Sequence, residues 1–147
     1  MPISRNDVTE KIITAKANHN LNWEDIALQI GAKKGKTVAG CLGQAIFSAK
    51  QAEMLAKIFD LNTEEEKLLT LPPEPCTPHE YKDDPLMVSL HKIIDRYGWA
   101  IKEMVSDSLG EGTLKIHDLN IDVDVDHSDQ SQHLQIILDT KFVPKEI

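Results

Sequence analysis

Cysteine is scarce in this 147-residue sequence, and the two present, Cys41 and Cys76, stand in unrelated contexts. One lies in a helical pattern and the other in a proline-rich stretch, with neither CxxC nor metal-ligand spacing, so both are expected to be free thiols. The six histidines form no HxxH or HxxxH pair, so no metal site is expected. Glycine-rich phosphate loops are missing as well. "GAKKGKT" has three residues between its glycines, where a nucleotide-binding loop needs four after a strand. No apolar run reaches the roughly 18 residues of a membrane span, and "MPISRNDVTEK" lacks a basic region followed by an apolar one. No membrane association is expected, and the cytoplasm is the expected location. Positive charge is in deficit, with 16 Lys and Arg against 24 Asp and Glu and a formal net charge of -8. That balance disfavours loose attraction to a nucleic-acid backbone.

What is present is a globular composition, 41% hydrophobic and 27% charged. From Asp7 to about Leu69 the apolar spacing is helical: Val8, Ile12 and Ala15; Ile26, Ala27 and Ile30; Val38, Leu42, Ile46 and Phe47; Met54, Leu55, Ile58 and Phe59. Thr63 and Glu66 are spaced as a capping box for a fifth short helix. "LPPEPCTPHEYKDDP" then carries five prolines, which fix φ and remove backbone donors, so no helix or central strand is expected through it. Beyond it, Leu86, Leu90, Ile93, Ile94, Tyr97, Ile101, Met104 and Val105 mark one face of a long helix over 85–107. "LGEG" ends that helix, since glycine tolerates a left-handed cap. "LNIDVDVD" alternates strictly and turns through "HSDQSQ" into "HLQIILDTKF", which predicts a hairpin with one apolar face.

The expected class is therefore α+β: a helical bundle over 1–70, a proline-rich linker over 71–84 and a helix-plus-hairpin domain over 85–147. One helix and one hairpin bury little apolar surface. The C-terminal part is accordingly expected to need a partner chain.

"WEDIALQIGAKKGKTVAGCLGQ" has the spacing of a helix, a turn at Gly31 and a second helix, and resembles the helix-turn-helix of lambda-repressor-like proteins. Lys33, Lys34 and Lys36 could meet phosphates, but Gln44 is the single side chain of the second helix suited to bidentate base reading. A packing module is the expected role, and nucleic acid is not the expected partner. The row Asp122, Asp124 and Asp126 lacks calcium-loop spacing and is read as a solvated strand face.

Several features recur in one order: "LNWEDIA", "GQ" after the helix-turn-helix, a proline linker, "DP.M" opening a long helix, "YG" within it, "GEG", and a hairpin ending in "TKFVP". This order is similar to that of the cyanate lyases, also called cyanases or cyanate hydratases, over about Val8 to Pro144. The resemblance implies a cyanase fold, interlocked dimers forming a homodecamer, and no cofactor. It implies an activity in which cyanate and bicarbonate give carbamate, which decomposes to ammonia and carbon dioxide.

In that family an arginine and a glutamate on the long helix, with a serine beyond the glycine turn, hold the reacting anions. Laid on that pattern, "DPLMVSLHK" places Ser89 at the arginine position and Lys92 at the glutamate position, and "GEGTLKIHDL" places Lys115 at the serine position. Serine cannot replace a planar, permanently charged fork, and lysine for glutamate reverses a charge. Replacing Arg, Glu and Ser with Ser89, Lys92 and Lys115 leaves a more cationic site, expected to bind an anion such as cyanate, bicarbonate or a dicarboxylate without turning cyanate over. Arg96, at helical spacings of seven and four from Ser89 and Lys92, is the candidate for a displaced guanidinium. Lys92 and Arg96 can alternatively pair with Asp95 or Glu103 on a solvated face. His91, at a family aromatic position, is read as an interface histidine. The expected function is a cyanase-fold oligomer without hydratase chemistry. The alternatives are a working divergent cyanate lyase, with bicarbonate as co-substrate, and a DNA-binding regulator.

Overall fold

The computed structural model describes residues 3–72 and 83–146. Most of the proline-rich stretch, including Cys76, lies outside the described residues. Two compact units are formed, Met1–Glu74 with His117–Asp139, and Pro75–Ile116 with Thr140–Ile147.

The first unit carries five helices: α1 (Arg5–Asn18), α2 (Trp23–Ile30), α3 (Lys34–Cys41), α4 (Ala49–Phe59) and α5 (Thr63–Leu68). Each break is written in the side chains. Ser4 and Asp7 form a capping box on α1, and Ser48 and Gln51 form one on α4. Asn22 caps α2 by accepting the Asp25 N–H, and Gly31, at φ 71°, ends it in the left-handed region. The cap of α5 lies one residue earlier than the sequence suggests: Asn62 and Glu65, not Thr63 and Glu66, make the reciprocal bonds. Asparagine accepts the N3 amide as well as threonine does, so both registers fit the pattern.

The core joins Val8, Ile12, Ile26, Ile30, Cys41, Phe47, Ala52, Leu55, Phe59 and Leu69. The third helix differs from its expected form. It stops at Cys41 and buries Thr37, Gly40 and Cys41, while Leu42 and Ile46 are exposed and Phe47 enters the core from a loop. Thr37 spends its hydroxyl on the Lys33 carbonyl at 2.9 Å, which makes its burial affordable in hydrogen bonds. Burial pushes the Cys41 thiol up to about 12, so it stays protonated and unreactive.

Arg5 ties the ends of these helices together. Its guanidinium donates to the carbonyls of Gly40 and Ala45 at 3.0 and 2.6 Å, and to those of Leu68 and Leu71 at 3.0 and 2.9 Å. These acceptors lie in or just beyond the last turns of α3 and α5; the Gly40 and Leu68 carbonyls also accept the N–H groups of Gly43 and Leu71.

The same unit contains a hairpin of β2 (Asn120–Asp126) and β3 (His133–Asp139), in register from Asn120 opposite Asp139 to Asp126 opposite His133. Strand alternation and this register put Ile121, Val123 and Val125 on one face with Leu134, Ile136 and Leu138. The hairpin packs on α3, where Gly35 meets the backbone of Ile121 so closely that a Cβ would overlap its carbonyl oxygen and nitrogen.

The second unit is α6 (Pro85–Leu109) with β1 (Gly112–Leu114) and β4 (Phe142–Pro144), two short antiparallel strands that the sequence pattern did not reveal. Asp84 caps α6 by accepting the Met87 N–H, Pro85 opens it and Gly110 ends it. The helix is amphipathic, yet none of its 25 residues is buried in the single chain. Ile94, Tyr97 and Met104 are among the large apolar side chains left exposed. Among the described residues no helix is long and apolar enough to cross a membrane.

Three outcomes are expected. Arg5→Met removes four side-chain hydrogen bonds to carbonyls at and beyond two helix ends and should lower unfolding free energy by about 2–4 kcal/mol in denaturant titration; a change within noise would contradict the tie. Gly35→Ala should overpack the hairpin contact, cost about 1–3 kcal/mol, and speed amide exchange in β2. The Glu65 carboxyl lies below its usual range because it accepts the Asn62 N–H and then the Lys11 ammonium at 2.9 Å. Its contribution is therefore complete above the free glutamate pKa of about 4.3 and is lost as pH falls through the lower folded value. Denaturation across acid pH should show Glu65→Gln less pH-dependent than the parent.

Candidate functional site

The positions marked by the family resemblance fall in the second unit. Ser89, Lys92 and Arg96 are exposed on α6, and their spacings of three and four residues bring them onto one stripe of the helix. The stripe sits beside the apolar face, because both faces follow from the same 3.6-residue period. Two further residues continue it, Glu103, already considered as a partner of the cations, and Trp99, whose spacing was readable in the sequence but was passed over in favour of charged groups. The Trp99 ring is 79% exposed, with the Lys102 ammonium 5.7 Å from its centroid. Lys102 is in turn held by Glu111 at 3.2 Å.

Ser89 does not present its donor outward. Its hydroxyl donates to the Pro85 carbonyl at 2.9 Å, four residues back along α6. A single hydroxyl so engaged offers an anion its lone pairs and no free proton. Lys92 and Arg96 differ from the pairing considered for them: neither forms a salt bridge with Asp95 or Glu103, or with any other described residue. Two exposed cations one turn apart are thus left for an outside anion. His91 is exposed on the same helix.

Lys115 lies on a different element, between β1 and the 3₁₀ turn Ile116–Asp118. Its backbone is fastened from both sides: the Lys115 N–H donates to the Lys141 carbonyl at 3.0 Å, and the Thr140 hydroxyl donates to the Lys115 carbonyl. This hold comes from the residues just before β4, whose pairing with β1 no local pattern announced. It fixes the backbone at position 115 without calling on the side chain there. Serine and lysine can therefore occupy the position with the same main-chain support.

Other candidates are placed away from these groups. Asp122, Asp124 and Asp126 are exposed on one face of β2. Among the described residues no three His, Cys, Asp or Glu side chains are grouped to hold a metal ion. An open groove beside α1 and the end of α4 is lined by Glu10, Lys11, His19 and Asp60, and it includes none of the marked positions. The helix-turn-helix is present as α2, Gly31 and α3, but Gln44 lies beyond the end of α3, and Gly35 near its start is covered by β2.

Comparison with known proteins agrees on one relationship. The family description "Cyanate hydratase, N-terminal" matches residues 5–73, and "Cyanate lyase C-terminal domain" matches residues 79–146. Cyanate hydratases of a Polaromonas species and of Variovorax paradoxus are each 36% identical over 143 residues, covering 97% of this chain and 97% of the relative. The crystal structure of cyanase from T. urticae has a TM-score of 0.80 at 22% identity, covering 92% of this chain and 96% of that one, which shows a shared fold. Two matches that follow one another along almost the entire chain, joined by full-length relatives, place this protein in the cyanate hydratase family.

Proposed function

We propose that this protein is a cyanase-fold oligomer that takes anions at its substituted site and does not catalyse cyanate hydration. The observation that carries the reading is the state of α6. The position of the family arginine holds Ser89, whose proton is committed to the Pro85 carbonyl, and the position of the family glutamate holds the cation Lys92. Cyanate and bicarbonate are both anions, and joining them requires fixed groups that orient each and stabilise the charge that develops between them. A hydroxyl has no fork with which to orient a carboxylate-like anion. An ammonium in place of a carboxylate changes the field at the reacting centre by two charges.

The altered set still favours anions. Lys92 and Arg96 are unpaired among the described residues, and Lys115 adds a third cation on a main chain held firmly in place. Cyanate, bicarbonate and small dicarboxylates are the matching ligand class, with no cofactor called for. The exposed apolar stripe of α6 and the apolar hairpin face support a homo-oligomer, since each such side chain left in water forgoes about 1.5–3 kcal/mol. Dimers, and a decamer built from them, are the assembly we propose, in the cytoplasm. The linker and the domain limits at 70, 84 and 147 belong to the same reading.

A working divergent lyase is the second reading, favoured by Arg96, an exposed guanidinium one turn from Lys92 that could supply the missing fork. The DNA-regulator reading is weakened by the cover over Gly35 and by the short α3.

Incubating the assembled protein with cyanate and bicarbonate should give no multiple-turnover ammonia release, at least about a thousandfold below a cyanate hydratase that has the arginine, glutamate and serine. Sustained release would overturn the proposal. Its loss in Arg96→Ala would then identify Arg96 as the replacement fork.

A further inference from the structure

The chain has two arginines, Arg5 and Arg96. Arg5 spends its guanidinium on four backbone carbonyls, so Arg96 is the guanidinium left exposed for an outside anion. Lys92 stands one turn before it on α6, about 6 Å along the axis. It is exposed as well, and it forms no salt bridge with a described residue. Other lysines are placed differently. Lys11, Lys57 and Lys102 are held by Glu65, Glu53 and Glu111, and Lys16 lies over the Trp23 ring, 5.1 Å from its centroid. Lys33, Lys34, Lys36 and Lys50 are exposed, but they lie in or beside α3 and α4, which carry no arginine. Lys92 therefore combines two features: an exposed primary amine, and an anion-holding fork within one helical turn.

Resting on the reading of α6 as a surface that takes cyanate, we propose that Lys92 is a modification site, at which the cyanate held by Arg96 adds to the lysine nitrogen once and gives a urea. The guanidinium fork holds cyanate by its oxygen and leaves the carbon open to the amine one turn away. The Lys92 ammonium gives one proton to the cyanate nitrogen, and the freed electron pair on Nζ attacks the carbon. As that bond forms, a π pair between carbon and the cyanate nitrogen moves onto this nitrogen, which takes a second proton from Nζ. Ammonium and cyanate are joined as one neutral urea, with no leaving group and no redox partner. The negative charge that builds on cyanate during the attack lies beside the guanidinium. Glutamate, which the family pattern has at position 92, offers no amine for this addition. Because the nucleophile here belongs to the chain, the reaction ends after one round. The urea is uncharged, so α6 keeps one of its two free cations and its hold on further anions weakens. Exposure to cyanate is thereby recorded as a loss of anion affinity.

The test exposes the parent protein to cyanate without bicarbonate and follows each lysine by peptide mapping in a mass spectrometer. Lys92 should be modified at least about tenfold faster than Lys33, Lys34 and Lys50. Arg96→Gln should bring Lys92 down to their rate and leave theirs unchanged, and Arg96→Lys, which keeps the charge and loses the fork, should recover part of the difference. Circular dichroism checks that both variants fold. Should Arg96→Gln misfold, bicarbonate added to the parent takes its place, and it should slow Lys92 without slowing Lys50. Calorimetric titration with bicarbonate reads the anion site apart from the modification, and cyanate-treated protein should bind at least about threefold more weakly than untreated protein. Modification of Lys92 at the rate of the other exposed lysines, or a Lys92 rate unchanged by Arg96→Gln, would overturn the proposal. Bicarbonate binding by that same protein would show that the anion-taking reading still stands. No bicarbonate binding by the parent would overturn both. Multiple-turnover ammonia release once bicarbonate is supplied would overturn the non-catalytic reading, and the limit of one round with it.

Discussion

A 25-residue helix with a continuous apolar stripe and no buried residue is the constraint on which the other features turn. Helices shorter than about 12–15 residues gain little from local hydrogen bonding, and long amphipathic ones owe their place to the surface that covers them. Among the described residues of its own unit, the other regular elements are the strands β1 and β4, three residues each. The apolar face of the β2–β3 hairpin is in the same condition, with Val123, Val125, Leu134, Ile136 and Leu138 all exposed. The N-terminal helices are the opposite case. They close a core around Phe47 and Leu55, and Arg5 serves the carbonyls at two of their ends.

The site inherits this geometry. Because α6 places its apolar residues on one stripe, the residues at 89, 92 and 96 fall together on the next, whatever their identity. Position 115 is held by its main chain, through Thr140 and Lys141. Such a frame can persist while its contents change, which is the sense of the proposal that the anion site remains and the hydratase chemistry does not. Arginine, glutamate and serine sum to zero charge, whereas serine and two lysines sum to plus two. A change of that sign favours holding an anion over steering two anions through a reaction.

Much of the fold was legible in the residues. The period of 3.6 from Leu86 to Val105 marked α6, the alternation from Leu119 to Asp126 marked β2, and polar caps set most helix starts. Helix α3 was misread because Leu42, Ile46 and Phe47 continue a helical spacing beyond Cys41, and a six-residue loop with apolar residues at that spacing looks the same in pattern as a longer helix. The β1–β4 pair was missed for a different reason. Three-residue strands have too few positions to display a period, and the pairing joins segments some thirty residues apart. The marked site residues came from order and spacing within the family pattern, and no local physical signal would have picked Ser89 from the chain's other serines. Trp99 and Thr140 show the converse: one was on the page as helical spacing, and the other acts through a tertiary contact that sequence alone does not disclose.

Restoring the three side chains tests the account most directly. Ser89→Arg, Lys92→Glu and Lys115→Ser in one chain return the family set, and the cation removed at 92 is given back to the stripe at 89. Steady-state ammonia release from cyanate with bicarbonate is the measurement. The account predicts turnover at least about a hundredfold above that of the parent. A triple variant that folds and assembles as the parent does, yet releases no ammonia, would show that the frame was altered along with its contents.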